Sequence, residues 1–213
     1  MNLKALAPVA VLAALGAASA AGALTVTVAP GGNLDYFDYN VDTATRTINI
    51  YETWGAASSS SIYLRFDDWN YNLGSWTINK YVTNETGRDW NSFSHELLNA
   101  QRQGSDDDDG LSFAQLGLPL RPRASDRFAD IYVDEVADRD YLLFDNGSVA
   151  SGDTAWFTYG ITARRADGVQ PFYLRQSEFL DVVPEPATWA LLIAGFGLVG
   201  ASFRRRRMAS VSA

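Results

Sequence analysis

The readable part of the chain opens on a strict alternation. Leu24-Thr25-Val26-Thr27-Val28 places Leu24, Val26 and Val28 on one face of a strand and the threonines on the other. Comparable β-branched and aromatic runs occupy 46–51, 62–66, 76–82, 128–136, 155–162 and 172–179, so the pattern predicts about seven short strands. Turn-forming clusters separate them at 30–32, 55–61 and 84–87. Asn146-Gly147 and Asp167-Gly168 are the best hairpin turns. One stretch reads as helix, Trp90 to Arg102, where Phe93, Leu97, Leu98 and Ala100 share a face. Strands without alternating helices predict a mainly antiparallel β-sandwich, or a jelly-roll-like body. No repeat of useful length stands out. The echo of Tyr63-Leu64-Arg65 in Tyr173-Leu174-Arg175 is too short to count as one.

The two ends follow a different pattern. Lys4 precedes an apolar run from Ala5 to Ala18 with no polar face, and Ala18-Ser19-Ala20 has the small-x-small form of a signal-peptidase site. Residues 1–20 are therefore expected to be a signal peptide, with the mature chain starting at Ala21. At the other end Pro184-Glu185-Pro186 leads through Trp189-Ala190 into an apolar run that stops at Arg204, Arg205, Arg206 and Arg207. Residues 187–203 would form about 25 Å of helix against a hydrocarbon core of about 30 Å. Trp189 at the outer interface and snorkelling arginines at the inner one shorten the difference. The arginines set the C-terminus in the cytoplasm, which is the topology a signal peptide also requires. Residues 208–213 follow as a short tail. Gly195, Gly197 and Gly200 spell a dinucleotide-binding fingerprint, but no strand precedes them, so they belong to the membrane segment.

Charge and composition then narrow the body, residues 21–183. It holds 24 of the 25 acids and 12 of the 17 Lys and Arg residues, a formal charge of −12. A surface of that sign repels phosphate backbones, and the densest basic piece, Arg121-Pro122-Arg123, is too short for a nucleic-acid stripe. With no cysteine, disulfides, thiolate catalysis and thiolate metal sites are excluded. His95 is the single histidine, so a three-histidine zinc site is impossible, and a surface or helix-capping place is expected for it. Four adjacent aspartates, Asp106 to Asp109, read as a solvated loop. They lack the calcium-loop spacing, because Ser105 and Leu116 fall where its first acid and its glutamate belong, which leaves an irregular calcium site as the alternative. No cofactor and no metal is expected.

The C-terminal constellation resembles the tryptophan-alanine variant of the PEP-CTERM sorting domain. The resemblance covers Pro184 to Arg207. It implies that an exosortase, an integral-membrane transpeptidase-like enzyme, reads the Pro-Glu-Pro motif while the apolar segment and the arginines hold the substrate in the inner membrane. Cleavage near the motif would then free the body to the cell surface or extracellular matrix. Proteins with this signal are associated with exopolysaccharide and biofilm, so a non-enzymatic surface or matrix protein is the expectation. A carbohydrate-binding module is the runner-up, with Trp54, Trp69 and Trp90, all near turns, as glycan contacts. Trp76 and Trp156 are expected in the core. A glycan-active enzyme comes third, using paired acids such as Asp67-Asp68 or Asp134-Glu135; neighbours on a strand face opposite ways, so neither pair is a ready dyad.

Overall fold

The computed structural model describes residues 23–69, 73–105, 109–115, 119–136, 139–164 and 171–180. The signal peptide with Ala18 and Ala20, Asp106 to Asp108, Asp167-Gly168 and the whole sorting segment with its arginines and tail lie outside them. The described part is mainly β. In chain order the strands are β1 (Thr25–Val28), β2 (Tyr36–Asp42), β3 (Thr47–Gly55), β4 (Ser61–Asp67), β5 (Trp76–Glu85), β6 (Ser92–Leu98), β7 (Leu111–Ser112), β8 (Ala124–Ser125), β9 (Phe128–Val136), β10 (Arg139–Gly147), β11 (Thr154–Ala163) and β12 (Phe172–Phe179).

They form two sheets. The first runs β1-β4-β12-β6-β10-β9 and is antiparallel throughout; the second runs β2-β3-β5-β11-β7, with β8 also paired to β11. The second sheet is mixed, because β3 and β5 pair in parallel from Thr47 opposite Thr77 to Gly55 opposite Glu85. One cluster of buried side chains draws on the inner faces of both sheets. Trp54 of β3 meets Phe93 of β6 edge-on at 5.4 Å between ring centroids, and His95 of β6 meets Phe157 of β11 at 5.6 Å. Alternation produces this: Ile62, Leu64 and Phe66 turn inward from β4, and Ile48 and Ile50 from β3, while the residues between them face out.

The segment read as a helix, Trp90 to Arg102, contains β6, a central strand hydrogen-bonded to β12 on one side and β10 on the other. Phe93 and Leu97 are four apart, a spacing that fits both a helical face and every second residue of a strand. His95 between them packs on the same Phe157 ring of the facing sheet as Phe93 does, so the period is two. Asn146-Gly147 ends β10 instead of making a hairpin: Asn146 has φ +55° and Gly147 lies opposite Phe128. A Cβ at Gly147 would collide with the carbonyl of Arg127, so glycine is needed there for close backbone approach. The strands flanking Asp167-Gly168, β11 and β12, belong to different sheets. Among the described residues no helix is long and apolar enough to cross a membrane.

Candidate functional site

Among the described residues one ion pair is fully buried in the core, while Asp140 of β10 and Glu178 of β12 also take buried inward positions. Glu52 of β3 and Lys80 of β5 take inward positions of their strands, and Gln176 of β12 reaches them from the facing sheet. Lys80 Nζ donates to Glu52 Oε1 at 2.9 Å and also to Gln176 Oε1. Gln176 Nε2 donates to Glu52 Oε1 at 2.7 Å, and Trp54 Nε1 to Glu52 Oε2 at 3.0 Å. Burial pushes the Lys80 ammonium below its ordinary pKa, and the charge and hydrogen bond of Glu52 oppose that shift. Both side chains of the pair are fully sealed from water, and Gln176 links this pair of the second sheet to the first.

His95 stands beside it and is not at the surface. Its ring packs on Tyr159 at 4.7 Å and on Phe93 at 5.3 Å, and neither nitrogen has a hydrogen-bond partner among the described residues. Burial, then the nearby Lys80 charge, holds its pKa well below the ordinary value, so the folded protein carries it neutral. The unfolded chain takes up this proton near pH 6.5 and the folded chain does not. Stability is therefore complete above that pH and falls below it by up to about 1.4 kcal/mol per pH unit. Glu178, raised by burial, acts in the opposite sense. Thermal unfolding from pH 7 to pH 5 isolates the histidine: His95→Leu should lose the downward slope that the wild type shows.

The tryptophans expected to contact glycan are core residues: Trp54 is 0%, Trp69 1% and Trp90 0% exposed. Trp54 packs edge-on against Trp90 and Phe93, and Trp69 against Phe66, Trp76 and Phe172. Lying near turns in sequence, they plug the ends of the core. Trp76 is buried as expected, whereas Trp156 is half-buried on the outer face of the second sheet. Of the paired acids, Asp67, Asp68 and Asp134 can be placed. Asp67 pairs with Arg65 at 2.6 Å, Asp68 occupies a left-handed backbone position, and Asp134 lies 3.5 Å from Arg139. Asp109 Oδ1 accepts from the Ser105 hydroxyl and the Leu111 amide, a turn-closing arrangement. Among the described residues no group of acids or histidine is placed to hold a metal ion.

The outer face of the second sheet carries an order that the sequence reading overlooked. Thr47-Ile48-Asn49-x-Tyr51-x-Thr53 recurs thirty residues on as Thr77-Ile78-Asn79-x-Tyr81-x-Thr83. The parallel pairing of β3 with β5 sets the copies side by side in register, like opposite like. Asn79 Nδ2 donates to Asn49 Oδ1 at 3.0 Å and Asn49 Nδ2 to Asn40 Oδ1 at 2.8 Å. Thr158 Oγ1 donates to Asn79 Oδ1 at 2.9 Å, giving a ladder across four strands. One row along, Tyr51 and Tyr81 stack at 5.1 Å and 10°, and Trp156 stands opposite Tyr81. Thr83 and Thr154 share a hydroxyl bond at 2.9 Å. The recurring heptapeptide was the available signal, obscured because its inward positions differ, Ile50 and Glu52 against Lys80 and Val82.

Leu180 is the last described residue, one position past the end of β12, so the fold hands the chain directly to the C-terminal segment. In the sequence this β body is followed by Pro-Glu-Pro, an apolar run and four arginines, the order of a C-terminal sorting signal. Comparison of the chain with protein families identifies that signal: residues 182–207 match the PEP-CTERM protein-sorting motif. The motif marks the chain for export, transient membrane anchoring and processing by an exosortase-like membrane enzyme. No curated protein matches the chain.

Proposed function

We propose that the chain is an exported, non-enzymatic surface or matrix protein whose β-sandwich body is released by cleavage at its sorting signal and then associates with exopolysaccharide in a biofilm. The observation that carries this reading is the match over 182–207, in which the Pro-Glu-Pro motif, the apolar run and the arginine block follow in the order an anchored substrate needs. Two prolines favour an extended stretch that an enzyme can grip outside the membrane. Residues 187–203 span the inner membrane before cleavage, with Arg204 to Arg207 in the cytoplasm. From Phe179 to Pro184 the chain reaches at most about 17 Å, so the enzyme works directly beneath the folded body.

The buried ion pair and buried histidine accord with a body that has no reacting centre. A carbohydrate-binding module is the second reading, and the outer face of the second sheet favours it. Fractionating cells that carry an alanine-substituted motif tests the sorting route. Full-length protein held in the inner membrane supports it, and processing equal to wild type contradicts it.

A further inference from the structure

The outward residues of β3, of most of β5 and of the first half of β11 form an uncharged patch on an acidic protein. From Thr47 to Thr53, from Thr77 to Thr83 and from Thr154 to Thr158 every outward side chain is threonine, asparagine, tyrosine or tryptophan. The chain as a whole is one-fifth charged. Loss of charge together with aromatic enrichment marks the centre of a contact surface. The polar groups are also fixed in advance. Asn49 and Asn79 each spend one N–H on the next amide, and their second N–H is not used by the ladder, so it is already oriented before any ligand arrives. Tyr81 is 36% exposed beside a half-buried Trp156, which supplies aromatic surface in the same row.

Three kinds of occupant fit poorly. A polyanion would meet Asp38 and Asp42 on the flanking strand β2 and a chain of net charge −8. A second copy needs more area: four strands about 4.8 Å apart and about 20 Å long offer roughly 400 Å², against the roughly 800 Å² per partner of a stable interface. A small molecule needs concavity, and the face is an open sheet. An extended, uncharged polymer rich in hydroxyl groups matches the remaining properties. Its hydroxyls pair with amides and threonines, and its apolar faces lie on the aromatic row. We propose that the outer face of the second sheet binds a neutral polysaccharide chain laid across β3, β5 and β11, with Asn49, Asn79, Tyr81 and Trp156 as the principal contacts. The proposal rests on the reading of the chain as an exported surface protein.

Native affinity electrophoresis of the full-length protein in detergent tests it, with gels containing dextran, a soluble mixed-linkage β-glucan, soluble starch or polygalacturonate. The wild type should be slowed by at least one neutral polymer and not by polygalacturonate. Tyr81→Ala with Trp156→Ala should need at least tenfold more polymer for the same retardation, while Tyr132→Ala, on the first sheet, should behave as wild type. Thr83→Arg sets a long cation across the face and should also lose retardation, which keeps the test decisive if the double variant unfolds. No retardation by any neutral polymer, retardation by polygalacturonate alone, or equal retardation of wild type and both face variants would overturn the proposal. So would a dimer by light scattering that the face variants abolish, because the face would then belong to a second copy. Sorting is read separately by cleavage, so a negative gel with normal processing removes this proposal and leaves the sorting route standing.

Discussion

Replacing Pro184, Glu185 and Pro186 with alanine should leave the protein at full length in the inner membrane and remove the shorter, released form. The C-terminus has two separable tasks. Insertion needs only the apolar run of 187–203 and the arginines that stop it, and the substitutions touch neither. Recognition needs an extended, proline-restricted grip, which the substitutions abolish. Replacing Arg204 to Arg207 with serine should do the reverse, weakening retention before cleavage and letting uncleaved protein pass outward. Immunoblots of inner-membrane and outer fractions from the native host distinguish the two. Equal size and distribution of wild type and motif variant would mean that the segment is an anchor and nothing more.

The second large effect is expected in the core. Lys80→Met leaves the Glu52 carboxylate sealed between the sheets with only Gln176 and Trp54 as donors. Breaking a buried pair from one side costs about 3–5 kcal/mol, a large share of the stability of a domain this size. The melting temperature should fall by roughly 6–20 °C. Glu52→Gln with Lys80→Met removes both charges and keeps a side chain of similar shape at each place. It should recover at least about 2 kcal/mol relative to the sum of the single losses. A strictly additive cycle in chemical denaturation would show that the pair holds nothing together.

The legible and illegible parts of this fold divide on physical lines. β9 and β12 could be bounded to the residue, because each opens on a phenylalanine and no Gly, Pro or Asn interrupts the run. β2 escaped notice although Phe37, Tyr39 and Val41 alternate inward. The Asp and Asn between them are ordinary turn formers, and only the neighbouring strand shows that they face water. β10 was hidden by Asn146-Gly147, whose glycine answers to a tertiary contact rather than a turn. The tryptophans show the same limit from the other side: adjacency to a turn says nothing of burial when the turn closes the end of the core. Apart from the bond between Asn40 and Asn49, the aromatic and amide rows join residues thirty or more positions apart, and no local window contains them. The sorting signal is different, because an enzyme reads it as linear sequence, and there the residues alone sufficed.

The most direct measurement for the whole account is the intact mass of the protein recovered outside the inner membrane of its native host. Export and sorting together predict a chain that begins at Ala21 and ends before the apolar run, so that it contains neither residues 1–20 nor Arg204 to Arg207. A released protein whose mass still includes the arginine block, or one that retains Met1, would contradict it.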